Sequence, residues 1–213
     1  MPVTKLTWAR IKDHLTRYFW IYILGCIVCV VLSDLLFTML RPRTPENQIV
    51  RFYVSEDYTD TTLLDGYAAD ILADLQAKGQ DIREVEFAAL SLADAESDYY
   101  SSMLLMVRLA GGEGDVFLCN RYSYEYLLAS DAELALDDYL AEGWLDGLDV
   151  ETESFTFSET GEEHIVAIAL RNAEKLRSMG FYSDEMYLCV MANGDNLDST
   201  MIAVEDFLRI ALE

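Results

Sequence analysis

Two histidines, His14 and His164, and four cysteines, Cys26, Cys29, Cys119 and Cys189, are the chain's stock for nucleophilic and soft-metal chemistry. An imidazole beside a thiol activates it as a nucleophile, and Cys119 with His164 is the pair that could be drawn. Both sit at strand positions with no third residue in view to orient the base. The chain has no G-x-S-x-G elbow, no P-loop, no G-x-G-x-x-G and no H-E-x-x-H. Residues 146–163 hold seven acids (Asp146, Asp149, Glu151, Glu153, Glu159, Glu162 and Glu163) and no Lys or Arg. They lack the ligand order and central glycine of a calcium-binding loop. Asp195-Asn196-Leu197-Asp198 offers oxygen ligands at no recognised spacing. The expectation is a protein without catalytic residues, metal ligands or cofactor, and not an enzyme.

Charge narrows the partners. The chain has 38 acidic and 15 basic residues, a net charge of -23. Lys5, Arg10, Lys12, Arg17, Arg41 and Arg43 all precede Thr44, together with only Asp13 and Asp34. The rest of the chain is therefore more acidic still. Such a surface repels nucleic acid and anionic headgroups. Cys119 and Cys189 each fall in an apolar run that reads as a buried strand. The sequence leaves open whether they pair in an oxidising compartment or stay as buried thiols.

What positions these residues begins with Tyr18–Leu40, YFWIYILGCIVCVVLSDLLFTML. As a helix rising about 1.5 Å per residue it is long enough for a ~30 Å hydrocarbon core. Tyr18, Phe19, Trp20 and Tyr22 crowd its first turns like an interfacial aromatic belt. Asp34 lies close enough to the far end for its carboxylate to reach the headgroups. The apolar run is long for a cleavable signal peptide, and no small-residue cleavage site follows it. Ile23-Leu24-Gly25-Cys26 resembles a lipid-attachment site, but apolar residues continue beyond the cysteine. The expected organisation is a cytoplasmic basic stub at 1–17 forming an interfacial helix, a single-pass transmembrane helix at 18–40, a linker at 41–48 and an extracytoplasmic domain at 49–213. Four Lys or Arg precede the span (Lys5, Arg10, Lys12 and Arg17) and three follow it (Arg41, Arg43 and Arg51). The long acidic domain without a basic patch suits the exterior, so the N-terminus is expected inside and the partners include a lipid bilayer.

Beyond the proline-broken linker, strands are expected at Ile49–Val54, Ile82–Phe87, Val116–Cys119, His164–Leu170 and Met186–Met191. Helices are expected at Leu63–Lys78, Ser97–Ala110, Ser123–Leu128, Arg171–Met179 and Asp198–Leu212, with a turn or two in Leu134–Leu145. Asp146–Glu163 reads as an exposed excursion with a short strand at Ser154–Phe157. Strands alternating with helices imply an α/β fold, a three-layer sandwich with a mostly parallel sheet.

Three stretches carry a family resemblance. Tyr99–Cys119 (YYSSMLLMVRLAGGEGDVFLC) runs from a helix through a glycine-rich turn to an aspartate that opens an apolar strand. Tyr126–Leu140 (YLLASDAELALDDYL) takes a short helix into a "DDYL" stretch, and VEDFLRIAL closes the chain. Together they resemble extracellular solute-binding proteins of transport systems, with His164–Leu170 resembling the segment that crosses between lobes. Only Arg171–Asp184 lies between that strand and the next, so the second lobe of such proteins is missing here. The pattern is similar to small membrane-anchored proteins of Gram-positive-type cells that keep one lobe. The resemblance implies one lobe of that fold and no particular activity.

In a parallel sheet a ligand sits beyond the carboxyl ends of the strands. Those ends place Glu56, Tyr58, Asn120, Arg121, Tyr122 and Arg171 as ligand-binding candidates. Arg121 and Arg171 are the donors for a carboxylate or similar group. Tyr58 and Tyr122 would stack on a sugar or apolar moiety. The expected function is non-enzymatic binding of a small-molecule ligand or a membrane-protein partner. The alternatives are an accessory subunit that docks another protein through its exposed half-cleft, and an enzyme of unrecognised type.

Overall fold

The computed structural model describes residues 8–40, 44–55, 60–90, 103, 107, 108, 111, 114–158, 160–194 and 196–212. The chain divides into two compact units, Met1–Arg43 and Thr44–Glu213.

The first unit contains two helices, α1 (Trp8–Arg17) and α2 (Phe19–Leu40). The apolar residues of α2 are exposed all round, including Trp20, Val30 and Leu40. A helix apolar on every side needs an apolar surrounding. By length and composition α2 is long and apolar enough to cross a membrane.

The second unit opens with a 3-10 turn at Glu46–Gln48 and then β1 (Ile49–Ser55). Helix α3 (Thr61–Ala77) follows, capped by Asp60, whose carboxylate accepts from the Thr62 N–H. Strands β2 (Glu84–Ala89) and β3 (Val116–Cys119) come next. Helices α4 (Arg121–Leu128) and α5 (Asp137–Ala141) lead to a hairpin of β4 (Glu151–Thr156) and β5 (Glu163–Leu170). Helix α6 (Ala173–Ser178), strand β6 (Met186–Val190) and helix α7 (Leu197–Leu212) complete the chain.

The strand order is β2-β1-β3-β6-β5-β4. β1 pairs parallel with β2 and β3. The β3–β6, β6–β5 and β5–β4 pairs are antiparallel. The sheet is therefore mixed and mostly antiparallel, which corrects the mostly parallel expectation. The cause lies in the connections. A parallel return needs a crossover of a dozen or more residues, usually a full helix. α3 supplies one between β1 and β2. Only the short α6 separates β5 from β6, and a turn separates β4 from β5. The expected excursion is mostly exposed. The short strand expected at Ser154–Phe157 is found as β4, which starts three residues earlier and forms one arm of the β4–β5 hairpin.

Two buried clusters lie against the sheet. Val50, Phe52 and Val54 of β1 point into one, with Leu64, Ile71 and Leu75 of α3 and Val204, Phe207 and Leu208 of α7. Phe52 stacks on Phe87 with ring centroids 4.8 Å apart, and Phe207 lies 5.6 Å from Phe52. The second cluster holds Tyr53, Phe117, Cys119, Tyr187 and Cys189 with Tyr124 and Leu127 of α4. α3, α5, α6 and α7 pack on the first cluster, whereas among the described residues α4 is the helix on the second. The described residues thus do not carry the expected three full layers. The helix expected at Ser97–Ala110 falls mostly outside them.

Gly180 joins the α6 turn to the start of α3: its carbonyl accepts from the Asp60 N–H at 3.2 Å. Its φ is +100°, and an added Cβ would stand 2.8 Å from the Asp60 carbonyl oxygen. Both edge strands carry glutamates at alternating positions, Glu84 and Glu86 on β2 and Glu151 and Glu153 on β4.

Candidate functional site

β1, β3 and β5 run in the same direction, so their carboxyl ends share one edge of the sheet. Because β6 runs the other way, it begins at that edge, with Tyr187 in register opposite Cys119 and Ala169. This is also where the order reverses, since β2 lies on one side of β1 and β3 on the other. Such a switch point is where open α/β sheets form crevices.

The edge is stitched from within. The Ser55 hydroxyl donates to the Ser123 hydroxyl at 2.9 Å, out of contact with water. The Asn120 N–H donates to the Ser55 carbonyl at 3.0 Å. The Asn120 side-chain oxygen caps α4 by accepting from the Ser123 N–H at 2.9 Å. Asn120 is thus spent on the helix terminus and offers its amide N–H2 group alone.

Arg121 and Arg171 are joined by a hydrogen-bonded chain. Arg121 Nη1 donates to the Tyr187 hydroxyl at 2.6 Å. That hydroxyl donates to Glu185 Oε1 at 2.6 Å, and Arg171 Nε donates to the same oxygen at 2.8 Å. Arg171 also binds Glu153 at 2.7 Å through Nη2, and Glu151 through Nη1. Arg121 Nε reaches Glu125 at 3.2 Å. The Tyr187 ring is buried, stacked on Tyr124 at 4.5 Å with planes 6° apart, and the Arg121 guanidinium lies over it at 5.6 Å. The Tyr187 hydroxyl and Arg171 hold the Glu185 carboxyl below its usual range. Burial, then the bonded Glu185 carboxylate, pushes the Tyr187 hydroxyl up.

Beside Arg171 lies a shallow open cleft of about 470 Å³, lined by Asp149, Glu151, Ala169, Asn172 and Glu174 among others. An arginine among carboxylates suits a ligand that carries both charges: a carboxylate for the guanidinium and a cation for the acids around it. Three exposed apolar side chains share the edge: Leu63 in the first turn of α3, Tyr122 in that of α4, and Tyr182 ahead of β6.

Of the six candidates, the structure brings Asn120, Arg121, Tyr122 and Arg171 to one edge, while Glu56 and Tyr58 lie outside the described residues. Glu185 and Tyr187, which connect the two arginines, escaped the sequence reading because a parallel β6 would have begun at the opposite edge. The shortness of 171–185 was the available signal.

The Cys119–His164 pairing is not formed. His164 opens β5 and its Nδ1 lies 3.0 Å from Asp137 Oδ2. Cys119 ends β3 at the opposite edge, level with Ala169, and five residues of strand correspond to ~17 Å. Cys119 and Cys189 are both free and buried, and burial pushes both thiols up, away from the thiolate that reacts. Among the described residues no group of three His, Cys, Asp or Glu side chains could hold a metal ion. No protein-family model matches this chain, and comparison with curated proteins finds no match.

Proposed function

We propose that this chain is a membrane-anchored, non-enzymatic binding protein whose exterior domain receives its ligand at the carboxyl edge of the sheet. Helix α2 is the uncleaved anchor, with α1 on the cytoplasmic face and residues 44–213 outside the cell. The domain is a single lobe resembling those of solute-binding proteins. The observation that carries the reading is the Arg121–Tyr187–Glu185–Arg171 chain, which draws two exposed guanidiniums together at the carboxyl edge, across β3, β6 and β5. Exposed ion pairs are cheap to exchange. A carboxylate ligand can therefore displace the glutamates from Arg171 while its cationic end meets Asp149 and Glu174.

The test is the melting temperature of residues 44–213 against amino acids, short peptides, sugars and Ca²⁺. A ligand at about 100 times its Kd stabilises by about 2.7 kcal/mol, a shift of roughly 5–10 °C for a domain of this size. A selective shift with a zwitterion, abolished by Arg171→Ala, supports the reading. A folded domain that no compound shifts defeats it in favour of protein docking. Leu63, Tyr122 and Tyr182, exposed on that same edge, favour this second reading. It predicts that a photo-crosslinker at position 182 captures a membrane partner.

A further inference from the structure

A buried acid outside that edge stands apart from the binding reading. Residues 132–136 enter the sheet as a wedge where β5 and β6 part. The Leu134 N–H donates to the Val190 carbonyl and the Leu136 N–H to the Ile165 carbonyl, each at 2.8 Å. The Ala192 N–H donates back to the Ala132 carbonyl at 3.0 Å, and Glu133 forms a bridge with Met191. Leu136 is fully buried in the first cluster.

Glu133 is 3 % exposed. Neither of its carboxyl oxygens makes a well-formed hydrogen bond among the described residues; the nearest donors are the backbone N–H groups of Glu133 itself and Ala132. A buried carboxylate without a partner costs several kcal/mol, so the group stays protonated or the segment that buries it leaves. Among the described residues no cation acts on it. The groups within electrostatic reach are Cys119 on β3, Cys189 on β6, Tyr124 on α4 and Asp131 on its own segment. The thiols and the phenol are uncharged, and the Asp131 carboxylate, held by the Ser158 N–H and hydroxyl, repels it. The other titratable pair on the segment, Asp137 with His164, lies at the far end of the wedge.

We propose that Glu133 makes this wedge a proton-controlled latch: the neutral carboxyl seals 132–136 between β5 and β6, and its ionisation releases the segment. Burial pushes its carboxyl up to about 7, against the lowering effect of the backbone N–H groups of Glu133 and Ala132 and with lesser help from Asp131. The sign follows directly. Once released, the segment ionises near the ordinary value of 4.5. Raising the pH from there to about 7 therefore favours release, and above about 7 both states are ionised and the bias is constant.

The test is hydrogen exchange of the full chain in zwitterionic nanodiscs, followed by mass spectrometry from pH 4.5 to 9 and corrected for intrinsic exchange. The expected result is an opening constant for 132–136 that rises about tenfold per pH unit up to about 7 and then levels. Amides of α7 report the general effect of the acidic surface. Glu133→Gln should flatten the profile of 132–136, and Glu133→Leu, which needs no partner at all, should flatten it while keeping the wedge closed. A wild-type profile that merely tracks α7, or variants that keep the wild-type slope, would overturn the proposal.

Discussion

The two halves of the sheet are built on different principles. β2, β1 and β3 form a parallel half joined by a full crossover helix, and their β1 core residues are sealed on both faces. β6, β5 and β4 form an antiparallel half made from short local connections, and it ends in the exposed β4. Apolar burial runs through both halves, since β3 and β6 are buried along their whole length. Each half has an arginine network, Arg51 with Glu46 and Glu86 in the parallel half and Arg171 with Glu151, Glu153 and Glu185 in the antiparallel half. The antiparallel half holds in addition the His164–Asp137 pair and the wedge with Glu133.

Of the substitutions that probe this comparison, the largest loss is expected in the parallel half. Phe52→Ala removes a fully buried ring stacked on Phe87 and tilted against Phe207 and should cost about 3–5 kcal/mol, read by urea unfolding of residues 44–213. An equally large loss from an antiparallel-half surface residue would break the comparison. Next is the pH dependence of stability from Glu133. Below the ordinary carboxyl value of 4.5 the group is neutral whether folded or unfolded. Between there and about 7 the unfolded chain gives up its proton first, so stability falls as pH rises and then levels. The total is about 3 kcal/mol, measured as the difference between wild type and Glu133→Gln so that the rest of the acidic surface cancels. Gly180→Ala, which forces a side chain into a left-handed backbone against the Asp60 carbonyl, should cost about 1–3 kcal/mol and loosen the contact between the halves. Smallest of all, Arg171→Ala should leave the unfolding midpoint nearly unchanged, because the guanidinium and Glu151 are exposed and Glu153 and Glu185 only half-buried, while removing any ligand-induced shift.

The same contrast explains what could be read from the sequence. β1, β3 and the closing helix were legible because β-branched and aromatic runs, and apolar residues at helical spacing, are local signals. Val116–Cys119 was expected as a strand and is one. Strand direction is not a local property. Alternation of strands and helices suggested a parallel sheet, while α6, only six residues long, was too short to return the chain that way. That single misreading hid Glu185 and Tyr187. Arg121 and Arg171 were found because β5 shares the direction of β3 under either arrangement. Glu133 escaped because nothing about a glutamate in ASDAELAL announces burial; only the pairing of its neighbours with Val190 and Ile165 puts it out of reach of water.

The glutamates on the two outermost strands have a consequence for how copies of the domain meet. An exposed strand is a template on which a second sheet can grow. Here Glu84 and Glu86 mark one rim and Glu151 and Glu153 the other. Glu86 is held by Arg51, and Glu151 and Glu153 by Arg171, so the rims present ion-paired charge rather than an apolar strand, and the β4 rim is further kinked by a bulge at Glu153/Ser154. Charged side chains and a kink on the outer strands are the devices by which a sheet edge resists pairing with a second sheet; both rims here carry the charges, and the β4 rim carries the kink as well.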